Sequence, residues 1–261
     1  MIPKTIHYCW FGKNPKPDLA LKCIKSWKSK CPDYKIIEWN EDNFNISECP
    51  LYVRQAYEMK RWAFVTDYVR LKLVYDYGGI YLDTDVELLK SLNSLLSYQA
   101  FFGFENNTSI ATGLGFGAEK GCAVVKGMMD DYLEIPFLLP DGNCDTTPCP
   151  QRNTHVLVAQ GLQQNGKTQM LDPNIKILSK EYLCPMDYFT GSLLRTRKTI
   201  SIHWFSASWK TTEQQKEHAD QVKRLRRKSL VDRLIHAPNR MLLFALGQEE
   251  YNTIKHLLRH K

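Results

Sequence analysis

Short apolar segments alternate along this chain with longer segments of helical spacing. The apolar segments are rich in β-branched and aromatic residues and end at glycine or polar residues, which is typical of buried strands. They cover residues 2–11, 34–39, 80–82, 99–104, 113–118, 175–178 and 199–204. The alternation of strands and helices predicts an α/β fold with a mostly parallel central sheet.

The clearest helical pattern covers residues 61–77. Phe64, Tyr68, Leu71 and Tyr75 share one face there, and two glycines follow directly, so we expect an amphipathic helix that ends at residue 77. Further helices are predicted before Pro32, over 122–133 and over 154–164, with a proline-rich loop over 136–150.

Size and composition indicate a globular protein. The chain has 261 residues, of which 43% are hydrophobic and 24% are charged, close to the averages for folded domains. We see neither a secretory signal nor a run of about 18 apolar residues that would predict a membrane span. The eight cysteines form no C-x-x-C pair, so we expect reduced thiols in a cytoplasmic protein rather than a zinc site or disulfides.

Positive charge is concentrated at the C-terminal end. Residues 216–261 contain eleven Lys or Arg and five Asp or Glu, so six of the seven net positive charges lie there. The densest part is Lys223-Arg224-Leu225-Arg226-Arg227-Lys228, which is followed by leucines at partly helical spacing. A basic amphipathic helix of this kind binds anionic membrane surfaces, although packing of its apolar side on the domain is the alternative. No nucleic-acid-binding motif is visible.

Asp83 and Asp85 are the strongest candidates for chemistry. They directly follow the apolar segment 80–82, and two carboxylates so close together repel unless a cation or protons separate them. Oxygen ligands of this kind suit Mg²⁺ or Mn²⁺, although a solvated acidic turn is the plain alternative. Asp67 and Arg70 lie three residues apart on the preceding helix, so they share a face and could reach the same pocket.

Three segments resemble glycosyltransferase family 32, which includes bacterial capsule and lipopolysaccharide transferases and is related to yeast mannosyltransferases and clostridial glucosylating toxins. Residues 66–85 resemble its D-x-D sugar-binding region, and residues 2–12 resemble its first strand. Ile202-His203-Trp204 with Ser208-Trp209 resembles its C-terminal motif. The resemblance covers about residues 1–210 and implies a GT-A-type nucleotide-binding domain, followed by a basic helical tail over 211–261.

The resemblance implies roles on the donor side. Trp10 would stack on the nucleotide base, and Tyr81 would line the donor pocket. Asp67 and Arg70 would hold the hydroxyls of the donor sugar. Trp10 and Tyr81 also suit plain packing in the core, and that alternative stays open at this point.

The resemblance also implies a metal centre and a leaving-group contact. Asp83 would contact the ribose and the metal, Asp85 would ligate the metal, and His203 could complete the shell or could be a core histidine. Ser208, or Ser206, would add a hydroxyl contact. The indole N–H of Trp209 would stabilise the departing diphosphate. The residues closest to the reaction would be Asp67, Arg70, Asp85 and Trp209.

The implied function is that of a retaining, metal-dependent hexosyltransferase. It would use Mn²⁺ or Mg²⁺ and move a sugar from a UDP-hexose or UDP-N-acetylhexosamine, or alternatively GDP-mannose, to a surface glycan. We expect a lipid-linked acceptor and a bacterial protein on the cytoplasmic face of the cell membrane. Asn106, Thr112 and residues 145–153 are expected to shape the acceptor side, but no residue there aligns with the family.

Other classes of protein remain as alternatives. A haloacid-dehalogenase-like phosphatase would explain the segment 82–86 but neither Trp10 nor the His203–Trp209 segment. A glycan-binding or scaffolding protein at the membrane would bind a nucleotide without turnover. A toxin-like transferase that modifies a protein is the third alternative.

Overall fold

The computed structural model describes residues 1–206, 217 and 220–225, and its elements follow the predicted α/β alternation. The helices are α1 (Asp18–Lys30), α2 (Leu51–Glu58), α3 (Trp62–Tyr77), α4 (Ala123–Asp130), α5 (Cys149–Ala159) and α6 (Lys180–Leu183). The strands are β1 (Thr5–Cys9), β2 (Lys35–Trp39), β3 (Gly79–Tyr81), β4 (Val86–Leu88), β5 (Ala100–Gly103), β6 (Phe116–Ala118), β7 (Gln169–Leu171), β8 (Ile175–Leu178) and β9 (Ser201–His203).

Seven strands form the central sheet in the order β2-β1-β3-β6-β5-β8-β7. The strands β1, β2, β3, β5 and β8 run in one direction, whereas β6 and β7 are antiparallel to their neighbours. The predicted α/β class with a mostly parallel sheet is therefore confirmed. Because β6 is antiparallel, its first residue, Phe116, lies at the same edge as the last residues of β3 and β5.

The strand predicted over 199–204 exists but does not belong to the central sheet. Its structured part, β9, pairs antiparallel with β4 in a separate two-stranded sheet, with Val86 opposite His203. The short strand β4 begins one residue after Asp85. This pairing brings the end of the described domain back to the D-x-D segment.

The helix α3 differs from the amphipathic helix that the sequence predicts. Its two ends agree with the prediction, but buried side chains lie all round it, including Val65, Val69, Leu73 and Val74. The reason is its position, since it packs against α2, α4 and β1 together. A helix covered on several sides has no solvent-facing stripe over most of its length. Asp67 and Arg70 are buried for the same reason.

The helix predicted over 154–164 begins five residues earlier than expected. It starts at Cys149, after Pro148, and has Pro150 in its first turn. Proline fits the first turn of a helix because it has no N–H to be paired there, a signal that the proline-rich loop assignment overlooked. The correction moves Arg152 and Asn153 from the predicted loop onto α5. The sequence also missed the short elements α2, β4, β7 and α6.

The described part of the chain contains no helix that is both long and apolar enough to cross a bilayer. Contacts divide the chain into two units, and the first, residues 1–187 with 193–210, contains the site described below. Of the predicted tail, residues 217 and 220–225 are described, and they are helical. The predicted domain boundary at residue 210 stays a prediction.

Candidate functional site

Several strands end at one edge of the central sheet and place polar side chains there. β1 and β3 are parallel neighbours with His7 opposite Tyr81, so the residues after both strands, Trp10 and Asp83 among them, lie at the same edge of the sheet. Gly113 lies in the turn before β6, and Glu105 follows β5. In sheets of this kind, ligands bind beyond the carboxyl ends of the strands.

Asp83, Asp85 and His203 form a compact cluster. One ligand atom of each residue lies within 4.8 Å of those of the other two. His203 Nε2 is 3.2 Å from Asp85 Oδ1, and Arg70 Nη2 is 3.3 Å from Asp83 Oδ1. The three residues predicted to bind a metal are thus brought together, although their roles as ligands stay a prediction.

The two aspartates of the cluster have opposite pKa shifts. Burial raises the pKa of Asp83 to about 6, since the opposing charge of Arg70 does not outweigh burial and the nearby Asp85 adds to it. Burial also acts on Asp85, but His203 and the hydrogen bonds from Ser206 hold the pKa of Asp85 well below its usual range. The same ion pair raises the pKa of His203 despite its burial. The ion pair with Asp85 therefore favours the charged form of His203.

The chain turns sharply after β9 and closes around Asp85. Phe205 has a left-handed backbone with φ of 51°, and its ring packs edge-on against His203 with centroids 4.3 Å apart. The amide of Trp204 donates to the Asp85 carbonyl at 3.0 Å, and the amide of Ser206 donates to Asp85 Oδ2 at 2.8 Å. Asp85 is held from both its backbone and its side chain, which orients its other oxygen towards His203.

Arg70 lies between two carboxylates below the cluster. Its Nη2 is 3.2 Å from Asp67 Oδ1 and 3.3 Å from Asp83 Oδ1, and its Nε donates to the Thr66 carbonyl at 3.0 Å. Only 4% of the side chain is exposed, so the guanidinium partly compensates two carboxylates that would be costly to bury alone. The predicted pair Asp67–Arg70 therefore does reach the D-x-D segment.

Tyr81 and Trp10 lie beside this network in different environments. Tyr81 is 1% exposed, and its ring is 5.3 Å from the Arg70 guanidinium. Burial raises the pKa of its hydroxyl well above the usual value, and the negative charge of nearby Asp83 adds to this shift. Trp10 is half-buried, donates its indole N–H to the Asn14 carbonyl at 2.7 Å and lies 5.6 Å from the ammonium of Lys16. Tyr81 supports Asp83 from within the core, whereas Trp10 keeps part of its ring at the surface.

The cluster fits a divalent cation. Two carboxylates and one imidazole converge, and His203 Nδ1 is buried without a hydrogen-bond partner among the described residues. Oxygen and imidazole ligands are compatible with Mn²⁺. Asp83, Asp85 and His203 would hold the ion, which would neutralise charge on a bound diphosphate.

Two predicted site residues, Ser208 and Trp209, lie outside the described residues, as does most of the basic tail, including Arg226 and Lys228. The alternative hydroxyl donor Ser206 is described and contacts Asp85. The predicted roles of Ser208 and Trp209 stay predictions.

Sequence reasoning missed Glu105 at this edge and gave Cys149 no role of its own within the segment 145–153. Arg70 Nη1 is 3.8 Å from the sulfur of Cys149. Glu105 carries a largely buried carboxylate within electrostatic reach of His203. Cys149 had no recognisable signal because it was assigned to a loop. Glu105 did have one, since it directly follows a predicted strand, as Asp83 does.

Residues 17–102, which contain the D-x-D segment and α3, match the family described as the glycosyltransferase sugar-binding region containing a DXD motif. The match covers about a third of this chain, which is similar over these residues to the sugar-binding region of glycosyltransferases. The matched segment contains Asp67, Arg70, Tyr81, Asp83 and Asp85 and confirms the resemblance to glycosyltransferase family 32. Trp10 and His203 lie outside this sugar-binding region and are brought to it by β1 and β9.

Curated relatives are yeast mannosyltransferases. Inositol phosphoceramide mannosyltransferase 3 of Schizosaccharomyces pombe is 32% identical over 127 residues, which cover 46% of this chain and 34% of that protein. Mannosyl phosphorylinositol ceramide synthase SUR1 of Saccharomyces cerevisiae is 25% identical over 150 residues, which cover 53% of this chain and 38% of that protein. The chain thus spans little more than a third of the length of these relatives.

Similar solved structures include two glycosyltransferases. The PaToxG glycosyltransferase has a TM-score of 0.48 and 18% identity, and the match covers 60% of this chain and 69% of that one. A glycosyltransferase involved in the glycosylation of the major capsid of PBCV-1 has a TM-score of 0.45 and 15% identity, and the match covers 82% of this chain and 98% of that one.

Proposed function

We propose that this protein is a metal-dependent hexosyltransferase of GT-A type. It transfers a sugar from a nucleoside diphosphate donor to a glycan acceptor with retention of the anomeric configuration. The observation that carries the proposal is the meeting of Asp83, Asp85 and His203 beside the buried pair Asp67–Arg70, inside or next to the matched sugar-binding region.

The charges of the site suit each part of such a donor. A cation on the Asp83–Asp85–His203 cluster would bind the diphosphate and stabilise it as it leaves. Asp67 and Arg70 offer a carboxylate and a guanidinium, which suit sugar hydroxyls as acceptor and donor. The partly exposed ring of Trp10 offers a face for the base, on the neighbouring strand.

The first experiment measures nucleotide binding. We expect UDP or GDP with Mn²⁺ to raise the melting temperature by several degrees, because a ligand at 100 times its dissociation constant stabilises the folded state by about 2.7 kcal/mol. The same nucleotide without Mn²⁺ should give a much smaller shift. A folded protein that responds to no nucleotide would contradict the proposal and favour the phosphatase alternative.

The metal assignment is tested separately. Asp85→Ala should abolish Mn²⁺-dependent hydrolysis of the donor, measured as released nucleoside diphosphate, because it removes a ligand and the partner of His203. Asp33→Ala is the matched control, since Asp33 is exposed and lies just before β2, at the opposite edge of the sheet from the site. Hydrolysis that survives in Asp85→Ala would remove Asp85 from the metal site. Nucleotide binding without any hydrolysis or transfer in the wild-type protein would favour the non-catalytic binding protein.

The donor sugar has two candidates. The resemblance to capsule and lipopolysaccharide transferases favours a UDP-hexose or a UDP-N-acetylhexosamine, whereas the names of the yeast relatives favour mannose from GDP-mannose. One contact between the pocket and the sugar changes the preference for one donor over another by only about 1–3 kcal/mol. The shape of the pocket alone therefore does not identify the donor sugar. Hydrolysis of UDP-sugars and of GDP-mannose, compared in one assay, separates the two.

We also propose a lipid-linked acceptor at the cytoplasmic face of a bacterial membrane. The support is the excess of positive charge over residues 216–261 together with the resemblance to transferases that build surface polysaccharides. A polar sugar on a lipid carrier would be presented at the level of the head groups, where a basic segment is attracted to anionic lipids.

A further inference from the structure

The two-stranded sheet β4–β9 carries two of the three residues that would bind the metal. Asp85 directly precedes β4, His203 ends β9, and each strand has only three residues. A sheet of two strands is at best marginally stable in water by itself. Contacts with the rest of the domain must therefore hold the geometry in which Asp85 and His203 meet.

The helix α1 holds β4 from one side. Trp27 is fully buried and donates its indole N–H to the Val86 carbonyl at 2.6 Å. The hydroxyl of Ser26 accepts a hydrogen bond from the Leu88 amide at 2.9 Å. These two bonds fix the backbone of β4, but neither of them involves β9.

Trp204 supplies a contact on the side of β9. Its indole N–H donates to Glu87 Oε2 at 2.9 Å, and the ammonium of Lys22 lies 2.8 Å from the same oxygen. The Lys22 ammonium is also 5.0 Å from the centre of the Trp204 ring. Lys22 belongs to α1, Glu87 belongs to β4, and Trp204 directly follows β9. These three side chains therefore join the small sheet to the helix beside it.

The register of the sheet explains how Glu87 reaches Trp204. Glu87 lies opposite Ile202, so Trp204 is its diagonal neighbour on the same face, within reach of a long side chain. Successive side chains of a strand point to opposite faces, so His203 points away from Glu87 and contacts Asp85 instead. A bond that fixes Trp204 on one face therefore also fixes His203 on the other.

We propose that the hydrogen bond between Trp204 and Glu87 positions the metal site. It sets the course of the chain after β9, which brings His203 to one oxygen of Asp85 and the Ser206 amide to the other. Trp204 itself lies between these two contacts, and its amide donates to the Asp85 carbonyl at 3.0 Å. This inference rests on the proposed function and adds two positioning residues to its metal site, which act through Asp85 and His203.

The exposure of the three side chains ranks their contributions. The Glu87 side chain is 18% exposed, and a hydrogen bond to a carboxylate is stronger than one between neutral groups. The Lys22 side chain is 57% exposed, so its ion pair with Glu87 contributes little by itself. Loss of the indole N–H should therefore affect the site more than loss of the Lys22 charge.

The test measures Mn²⁺ affinity, because residues that position metal ligands typically change it by about 10–100-fold. The probe is Mn²⁺ titrated with saturating UDP or GDP, and the readout is the Mn²⁺ concentration that gives half of the melting shift. Trp204→Phe removes the N–H but keeps an aromatic ring, so we expect this concentration to rise about tenfold or more. Donor hydrolysis at saturating Mn²⁺ should approach the wild-type rate.

Variants of Glu87 separate the hydrogen bond from the charge. Glu87→Leu should lower Mn²⁺ affinity as Trp204→Phe does, whereas Glu87→Gln should stay near the wild type, because an amide oxygen still accepts the indole N–H. The double variant Trp204→Phe/Glu87→Leu should lose no more Mn²⁺ affinity than either single variant, since all three lack the same bond. Trp39→Phe is the matched control, because it removes the indole hydrogen bond to His7 Nδ1 on β1, outside the metal site.

Three results would overturn the proposal while leaving the proposed function in place. The first is wild-type Mn²⁺ affinity in Trp204→Phe, which decides the matter even if Glu87→Leu does not fold. The second is an equal loss in Trp39→Phe, since the effect would then be general destabilisation. The third is additive losses in the double variant. If the wild-type protein shows no Mn²⁺-dependent shift with any nucleotide, the proposed function fails first and the positioning role falls with it.

Discussion

Arg70 shows how one buried cation organises two carboxylates from different elements. Asp67 precedes it by one turn of α3, and Asp83 comes from the segment after β3. Burial would lower the pKa of Arg70, but Asp83 and Asp67 raise it well above its usual value. The guanidinium is thus always charged, and its fixed fork of donors sets the positions of both aspartates.

Replacement of Arg70 should destabilise the protein strongly. Arg70→Met leaves Asp67 and Asp83 buried without compensation, so we expect the free energy of unfolding to fall by about 3–5 kcal/mol. Urea denaturation in metal-free buffer measures this loss. Arg54→Met changes an exposed arginine on α2 and should stay within about 0.5 kcal/mol of the wild type. Equal stability of the two variants would show that the buried network contributes little.

The turn before β6 leaves room for Asp83 because it contains a glycine, which has no side chain. Gly113 belongs to a single 3₁₀ turn, Thr112–Leu114, and a Cβ atom there would lie 2.6 Å from Asp83 Oδ2 and 3.1 Å from Arg70 Nη1. Thr112 accepts a hydrogen bond from Asn153 of α5 at 2.9 Å, which holds the turn in place. Asp83 therefore occupies space that only a glycine in this turn leaves open.

Gly113→Ala should damage the site more than the fold. The added methyl group must displace Asp83, and a shift of about 1 Å in a reacting group can cost roughly 100-fold in activity. We expect a matching loss of donor hydrolysis and a weaker Mn²⁺-dependent nucleotide shift, with the ligand-free melting temperature changed little. Gly127→Ala is the control, because a Cβ there meets only Val156 at 3.2 Å. Wild-type hydrolysis in Gly113→Ala would show that Asp83 tolerates the displacement.

At the scale of the whole molecule, the candidate functional site and most of the net positive charge lie in different parts of the chain. The described domain carries the site at one edge of its sheet, whereas the net positive charge is concentrated over residues 216–261. Basic residues near an anionic surface contribute about 1 kcal/mol each. The two parts should therefore be separable by substitution, with catalysis in the domain and attachment in the tail.

Neutralising the basic cluster tests this separation. With Lys223, Arg224, Arg226, Arg227 and Lys228 all changed to Gln, we expect binding to phosphatidylserine-containing vesicles to weaken at least about 100-fold. Hydrolysis of a soluble donor should stay unchanged. Sedimentation with vesicles measures membrane binding, and the released nucleoside diphosphate measures donor hydrolysis. If the variant sediments with the vesicles as much as the wild type does, another surface binds the membrane. If the wild-type protein does not sediment with the vesicles, the tail hypothesis is refuted.

Local sequence predicted most of the helices and strands and named the side chains that the structure brings together beside the D-x-D segment. Tyr81-Leu82-Asp83-Thr84-Asp85 reads as a strand that runs into paired carboxylates, and Asp67 and Arg70 are three residues apart on a strongly helical segment. These features depend on neighbours in the chain, since strand patterns and helical spacing are short-range properties. The α/β class followed from the same alternation.

Long-range contacts settled the rest. Three features depend on such contacts: the burial of α3 on several sides, the pairing of β9 with β4, and the approach of Cys149 to Arg70. They join segments up to about 120 residues apart, so no local sequence pattern encodes them. A motif states which side chains are present, whereas packing determines which of them remain free to act, because a buried charge is either compensated by its neighbours or left for a substrate.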